Sequence, residues 1–313
     1  DGRPYYLNAS VNGTRTFHIG QSQHTIRVGM DYNLSGNNGK GSMYDILQPP
    51  TGTGFRPRPF DDIPALHRIA MFSAAELVIP IGSTRLEMQA GLRFNNIQPS
   101  GLFSSAEDIT ALDPRLNMRY RILEKGSGLV SQLGLRFGYG KQSLTPTLSH
   151  IYPDKSYRDL SLFNYYDPPG SLAVIYTDVI EDTRNHNLRA ANSTKYEGGL
   201  NIVIAGIDME FTGYYETMKD GFTHRSIYLP LVIHRYNPLT KAGLAPRFIP
   251  GTGVVYNHPG TGQLVVVPTT PDSLFRTYSY PENSRHQIKT GLEYEMDFGR
   301  VDALHTSFYL NGA

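Results

Sequence analysis

From Arg85 to Asn95 apolar and polar positions alternate without a break: Leu86, Met88, Ala90, Leu92 and Phe94 form one set, and Arg85, Glu87, Gln89, Gly91, Arg93 and Asn95 the other. A strand sends successive side chains to opposite faces, so a strand separates these sets and a helix does not. The pattern recurs. Leu129, Leu133, Leu135, Phe137 and Tyr139 oppose Gln132, Gly134, Arg136, Gly138 and Gly140; Leu116, Met118, Tyr120 and Ile122 oppose Arg115, Asn117, Arg119 and Arg121. Ile26, Val28, Met30, Tyr32 and Leu34 oppose Arg27, Asp31 and Asn33, and Ile288, Leu292, Tyr294 and Met296 oppose Gln287, Lys289, Glu293 and Glu295. Between Tyr5 and Ile19 the apolar face includes Arg15, which predicts either a bulge near Gly13 or an Arg15 that snorkels to an interface.

Strands are joined in pairs by short polar, Gly-containing segments around Gln21, Gly82, Gly126, Gly206 and Gly299, which read as hairpin turns. Between one hairpin and the next the connections are long, running over 35–67, 96–112, 141–193 and 219–284. Within them, Ser171–Ile180 and Gly221–Arg235 read as strand extensions, and Val254–Val255 with Leu264–Val267 as an extra hairpin. Compact soluble domains seldom hold several loops beyond about 15 residues. Short turns at one rim and long loops at the other are instead the signature of an up-and-down transmembrane β-barrel. The expectation is an all-β, antiparallel barrel portion of about ten to twelve strands spanning residues 1–313.

An Arg facing lipid near the bilayer midplane costs about 2–4 kcal/mol, which assigns the faces. The Leu/Met/Phe sets point outward. Glu87, Arg93, Arg119, Arg136, Glu210, Glu216 and Glu293 line a polar interior, and Arg93, Arg119 and Arg136 should find carboxylate or backbone partners there. If instead the apolar sets met between two packed sheets, a soluble adhesion or sugar-binding sandwich would take the place of the membrane reading.

Composition alters this picture little. Lys+Arg 29 against Asp+Glu 28 gives no charge surplus to attract nucleic acid. A mean hydropathy of -0.34 suits alternating strands as well as a soluble chain, and no stretch approaches the roughly 18 apolar residues of a spanning helix. Zero Cys rules out thiolate chemistry and disulfides within the chain, and Tyr 21 with Trp 0 makes tyrosine the main amphipathic ring. The 10 His are scattered without metal-ligand spacing, so neither a metal nor another cofactor is expected. Ser127 between Gly126 and Gly128 is a turn, and Gly138-Tyr139-Gly140-Lys141 ends a strand, so neither is a nucleophile elbow or a phosphate loop. The chain opens at Asp1-Gly2-Arg3-Pro4 without a leader and stops in strand-like sequence, and it reads as a fragment whose first and last strands lack partners within it.

Chemistry concentrates in the long connections. Tyr152, Tyr157, Arg158, Asp159, Phe163, Tyr165, Tyr166 and Asp167 put rigid rings beside charges, a composition suited to ligand capture at the extracellular mouth; packing of the loops on one another would use the same residues. Tyr228, His234, Arg235, Tyr236 and Tyr256 form a sparser second group.

Four segments in order carry a resemblance. Leu112-Asp113-Pro114-Arg115-Leu116-Asn117-Met118-Arg119-Tyr120 is similar to a strand opening of TonB-dependent receptors of the Bacteroidetes type. The run Gly138-Tyr139-Gly140, Thr145-Pro146-Thr147, Ile151-Tyr152-Pro153 resembles the same family, as do Asn187 to Leu200 and Asp61-Asp62-Ile63-Pro64 followed by Ala90 to Phe94. The resemblance implies a barrel of about 22 strands filled by a plug domain. It also implies the remaining barrel strands, outer-membrane lipid and the inner-membrane TonB complex as partners, and import of a metal chelate, oligosaccharide or peptide without chemistry on it. The alternative is a self-contained small barrel enzyme of the surface-protease kind, which would require the first strand to bond to the last.

Overall fold

A computed structural model describes residues 1–42, 56, 58–99, 108–167 and 170–313, with backbone only at Val301. Much of the connections at 35–67 and 96–112 lies outside the described residues. The strands are β1 (Pro4–Ile19), β2 (Ser22–Asn37), β3 (Leu66–Ile81), β4 (Thr84–Gln98), β5 (Ile109–Leu123), β6 (Val130–Leu144), β7 (Ser156–Tyr165) and β8 (Leu172–Ile180). They continue with β9 (Ala191–Ile204), β10 (Ile207–Tyr236), β11 (Arg247–Ile249), β12 (Gly253–Asn257), β13 (Leu264–Val266), β14 (Thr269–Val301) and β15 (Thr306–Gly312), and one short helix, α1 (Leu148–Ile151), precedes β7. Two compact units result: residues 1–152, 186–223 and 282–313, and residues 153–185 and 224–281.

The first unit is built on a ten-stranded sheet in the order β1-β2-β3-β4-β5-β6-β9-β10-β14-β15. From β1 to β10 each pair is antiparallel, so the short turns between these strands fall at one end and the long connections at the other, and β14 pairs antiparallel with β15. β1 and β15 are edges and do not bond to each other, as a closed ten-stranded barrel would demand.

One local expectation is narrowed and another is corrected. The β1–β2 register runs unbroken from Pro4↔Asn37 to Ile19↔Ser22, so there is no bulge at Gly13; Arg15 stays on the apolar face opposite Ile26, four residues before the turn end of β1 at Ile19, close enough to the rim for an Arg side chain to reach polar surroundings. The last hairpin does not turn at Gly299. That glycine, at φ 70, serves a bulge between Asp297 and Arg300, β14 runs on to Val301, and the turn is made by Asp302–Leu304 and His305 at φ 50. The final strand therefore starts at Thr306.

The register places Leu86, Met88 and Leu92 on the same face as Met118 and Tyr120, then Leu133, Leu135 and Phe137, then Leu200 and Ile202, then Met209 and Phe211. Among the described residues nothing covers that face: Leu92 is 47% exposed, Leu135 48% and Leu292 64%. A sandwich would have buried these residues against a second layer. The buried apolar cluster of this unit is instead small and lies at the long-connection end, where Leu66, Ile97 and Ile109 are capped by Ile151 of α1 and by Ala190.

Pro114 marks where the β5–β6 ladder stops. It has no N–H to give, and the β5–β6 ladder begins only at Arg115↔Gly140, whereas β5 stays paired with β4 out to Ile97↔Ile109. Beyond Gly140, β6 bonds to β9 alone. The buried Asp113 carboxylate spans the gap, accepting from Ser143 Oγ at 2.6 Å and from Asn95 Nδ2 at 2.9 Å. Tyr152, after α1, donates its hydroxyl to the Pro99 carbonyl at 2.6 Å, and its own carbonyl accepts from Arg58 at 3.0 Å. Asp113-Pro114 and Ile151-Tyr152-Pro153 thus have structural work at one end of the sheet.

The second unit joins the β7–β8 hairpin, the β11-β12-β13 sheet and the distal stretches of β10 and β14 around Phe163, Tyr165, Leu244, Val254 and Val267. Phe163 meets Tyr236 edge to face at 6.0 Å. A bulge between Ser161 and Phe163 shifts the parity of β7, so Arg158 and Leu160 share a face with Phe163 and Tyr165 rather than with Asp159.

Candidate functional site

The polar face of the ten-stranded sheet is the first candidate site, and its side chains form a lattice across the strands. Arg27 lies 3.3 Å from Glu76, Gln89 donates to Glu76 at 3.1 Å and Asn117 donates to Gln89 at 3.3 Å, linking β2 to β5. Arg93 pairs with Asp31 at 3.0 Å and donates to Asn95 at 3.0 Å. Glu87 takes Arg121 at 3.1 Å and Arg85 at 3.9 Å. Arg136 reaches Glu210 at 2.5 Å and Thr212 at 2.8 Å, and Asn201 donates to Glu210 at 2.7 Å. Ser193 donates to Glu216 at 2.5 Å, Lys289 lies 3.9 Å from it, and Lys195 pairs with Glu197 and stands 5.0 Å over the Tyr214 ring. Partly exposed pairs of this kind contribute about 0–1 kcal/mol each, so the lattice sets the polarity of the face more than its stability.

Arg119 departs from the expected pairing. Its cross-strand neighbours are Glu87, already engaged by Arg121, and Arg136, a like charge turned toward Glu210. Arg119 makes no ion pair among the described residues; its side chain is exposed, so it is not forced to find one. Glu76, Glu87, Gln89, Arg119, Arg136 and Glu197 bound a recess of about 420 Å³ on this face. Aromatic rings also lie flat on it. A Cβ at Gly29 would sit 2.4 Å from the Phe72 ring and one at Gly291 2.6 Å from the Tyr214 hydroxyl, so glycine is needed at both positions.

The ring-rich residues of the long connections are divided between the units. Tyr152 packs with the cluster under α1. In the second unit the Tyr165 ring is buried, with its hydroxyl 3.0 Å from both Asp167 Oδ2 and the Lys241 carbonyl. Arg158 donates to the Phe275 carbonyl, whereas Asp159, on the opposite face of β7, accepts from Thr177 at 2.7 Å. Tyr166 is 82% exposed. Arg235 donates to Asp272 at 2.6 Å and to the Ser161 carbonyl at 2.5 Å. Sequence reasoning missed the pair Arg276–Asp178, 2.7 Å apart with side chains only 10% exposed, because the partners are nearly a hundred residues apart and each sits in an ordinary strand pattern. The described residues hold no cluster of His, Asp and Glu that could bind a metal ion.

A polar, hydrogen-bonded face backed by an uncovered apolar one, with turns sorted by length, defines a wall segment of an up-and-down β-barrel. The chain belongs to the family described as TonB dependent receptor-like, beta-barrel, which matches residues 2–229. No curated protein matches the sequence. Among solved structures the chain is similar to a ferric enterobactin receptor variant from Pseudomonas aeruginosa in complex with enterobactin, at 17% identity and a TM-score of 0.51, over 96% of this chain and 34% of that one. It is also similar to the siderophore receptor PirA from Acinetobacter baumannii (11% identity, TM-score 0.38, 95% and 43% covered) and to the RagAB peptide transporter (13%, 0.46, 94% and 39%). The chain thus spans 34% of the first of these proteins.

Proposed function

We propose that this chain is part of the barrel wall of an energy-coupled receptor of the bacterial outer membrane, which imports a ligand such as a metal chelate, an oligosaccharide or a peptide. The observation that carries the reading is the sheet itself: ten strands in register, charged and bonded on one face, apolar and uncovered on the other. Lipid covers the apolar face. The polar face that carries Glu87, Arg93, Arg119, Arg136, Glu210, Glu216 and Glu293 looks onto a polar interior occupied by the plug domain of the whole protein, with further strands closing the barrel and the inner-membrane TonB complex supplying energy.

Ligand capture falls to the long connections, through Tyr157, Arg158, Asp159, Tyr165 and Tyr166, with Tyr152 holding the neighbouring connection in shape. Tyr166 is the ring with the most surface to offer, and Tyr165 acts by fixing the segment that presents it. The test uses the full-length protein in cells and a panel of one ferric siderophore, one malto-oligosaccharide and one peptide mixture. Uptake of one class is expected to be saturable and to stop when the proton-motive force is collapsed, and Tyr166→Ala should weaken binding of that class about tenfold, as loss of an aromatic anchor does. Uptake of every class that persists in de-energised cells would contradict the proposal.

A further inference from the structure

The outward face of β6, β9 and β10 changes chemistry row by row, and the registers fix the rows. From the short-turn end they read Ile204 and Ile207; Leu133, Ile202 and Met209; Leu135, Leu200 and Phe211; Phe137, Gly198 and Gly213; Tyr139, Tyr196 and Tyr215. The next rows are Lys141, Thr194 and Thr217, then Ser143, Asn192 and Lys219. From Ile204 to Thr194 is ten residues, roughly 33 Å of strand at about 3.3 Å per residue. At a tilt of about 40° this is some 25 Å of height, the thickness of the apolar band on an outer-membrane barrel. The tyrosine row falls where an aromatic girdle belongs, with Tyr139 and Tyr196 in tilted contact at 5.2 Å, and the two lysines stand just beyond it, at headgroup level.

These lysines differ from those of the opposite face. Lys195 and Lys289 have carboxylate partners there, but Lys141 and Lys219 make no ion pair among the described residues. The acid next in sequence, Asp220, lies 3.8 Å from Arg189. Lys141 and Lys219 flank β9, two strand spacings apart sideways and one side-chain step along, so their backbones are roughly 12 Å apart. Two flexible four-carbon stems can close that distance onto one anion, with the Thr194 and Thr217 hydroxyls beneath as donors. Below the tyrosines, Gly198 and Gly213 lie directly opposite each other and have open space where a Cβ would stand, which leaves a dent beside Phe137.

We propose that Lys141 and Lys219, with Thr194 and Thr217, bind the phosphate of a membrane lipid headgroup whose acyl chain lies in the Gly198–Gly213 dent. The inference rests on the reading that the outward face meets lipid. The charge calls for an anion, and the continuous apolar surface running down from it selects a lipid over a free ion. The test is native mass spectrometry of the full-length protein, after confirming insertion into vesicles by flotation, with phosphatidic acid, diacylglycerol of the same chains, and inorganic phosphate as probes. Phosphatidic acid should be retained, the other two should not, and the double substitution Lys141→Gln/Lys219→Gln should lower retention at least tenfold. Gly198→Leu, which fills the dent and leaves both lysines, should also lower it. Equal retention by the lysine variant, or binding of inorganic phosphate as tight as that of the lipid, overturns the lipid site while leaving the receptor reading intact. A correctly refolded protein that does not float with vesicles overturns both.

Discussion

Replacing Arg276 by Met is expected to destabilise the second unit by about 3 kcal/mol, the lower part of the 3–5 kcal/mol range for breaking a buried ion pair. The cost comes from Asp178, whose carboxylate would stay in a site with side chains only 10% exposed after losing the cation 2.7 Å away. Arg158, directly opposite Asp178 in the β7–β8 register, keeps one positive charge near and holds the loss down. Among the described residues the Arg276 Nε and Nη2 atoms have no hydrogen-bond partner, so removing them exposes no acceptor there and the penalty is that of the stranded acid. Amide hydrogen exchange over β7 and β8 of the full-length protein measures it: exchange should accelerate on the order of a hundredfold in the single variant, following the free energy of local opening. Adding Asp178→Leu should restore most of the protection, because an apolar pair replaces an ionic one at little cost. Unchanged exchange in the single variant would show that the pair is not buried.

Leu135→Arg should cost about 2–4 kcal/mol in urea unfolding from lipid vesicles. Leu135 lies midway along the outward face, between Tyr120 of β5 and Leu200 of β9, so the guanidinium has no nearby carboxylate and the longest path to either rim. The control is Gln89→Arg on the other face, where Glu76 lies 3.1 Å from the side chain it replaces. That change should stay under about 1 kcal/mol, since the new charge finds a partner and water. Equal effects of the two substitutions would mean that the faces do not differ in solvent.

The sequence made the sheet readable because alternation is a local property. Arg85 to Asn95 declares a strand and both its faces without reference to any neighbour, and the register then only aligns faces already defined. Where a residue's role depends on a partner distant in sequence, reading failed. Strand β7 was hidden by its own bulge, since the buried positions Leu160, Phe163 and Tyr165 fit neither a period of two nor a helix. Tyr152, Tyr165 and Tyr166 are equivalent by composition, yet the first two are anchored through their hydroxyls to Pro99 and Lys241, and the third is exposed. Gly299 suited a turn as well as a bulge, and the choice lay with the positive φ of His305. Arg119 was expected to find a carboxylate or backbone partner because its face is polar and confined, but the register sets it opposite Glu87, which Arg121 takes.

Under the proposed function the two faces of this sheet meet different solvents, lipid on one and water or protein on the other. Spin labels placed one at a time on cysteines substituted from Arg85 to Asn95, in the full-length protein in vesicles, are the sharpest probe; these 313 residues contain no cysteine, and any cysteine elsewhere in the full-length protein is first replaced by serine. Accessibility to molecular oxygen should rise at Leu86, Met88, Ala90, Leu92 and Phe94 and fall at the residues between, with a polar nickel reagent excluded from the first set. Oxygen and nickel accessibilities that rise and fall together along the segment would contradict the account, for both faces would then meet the same medium.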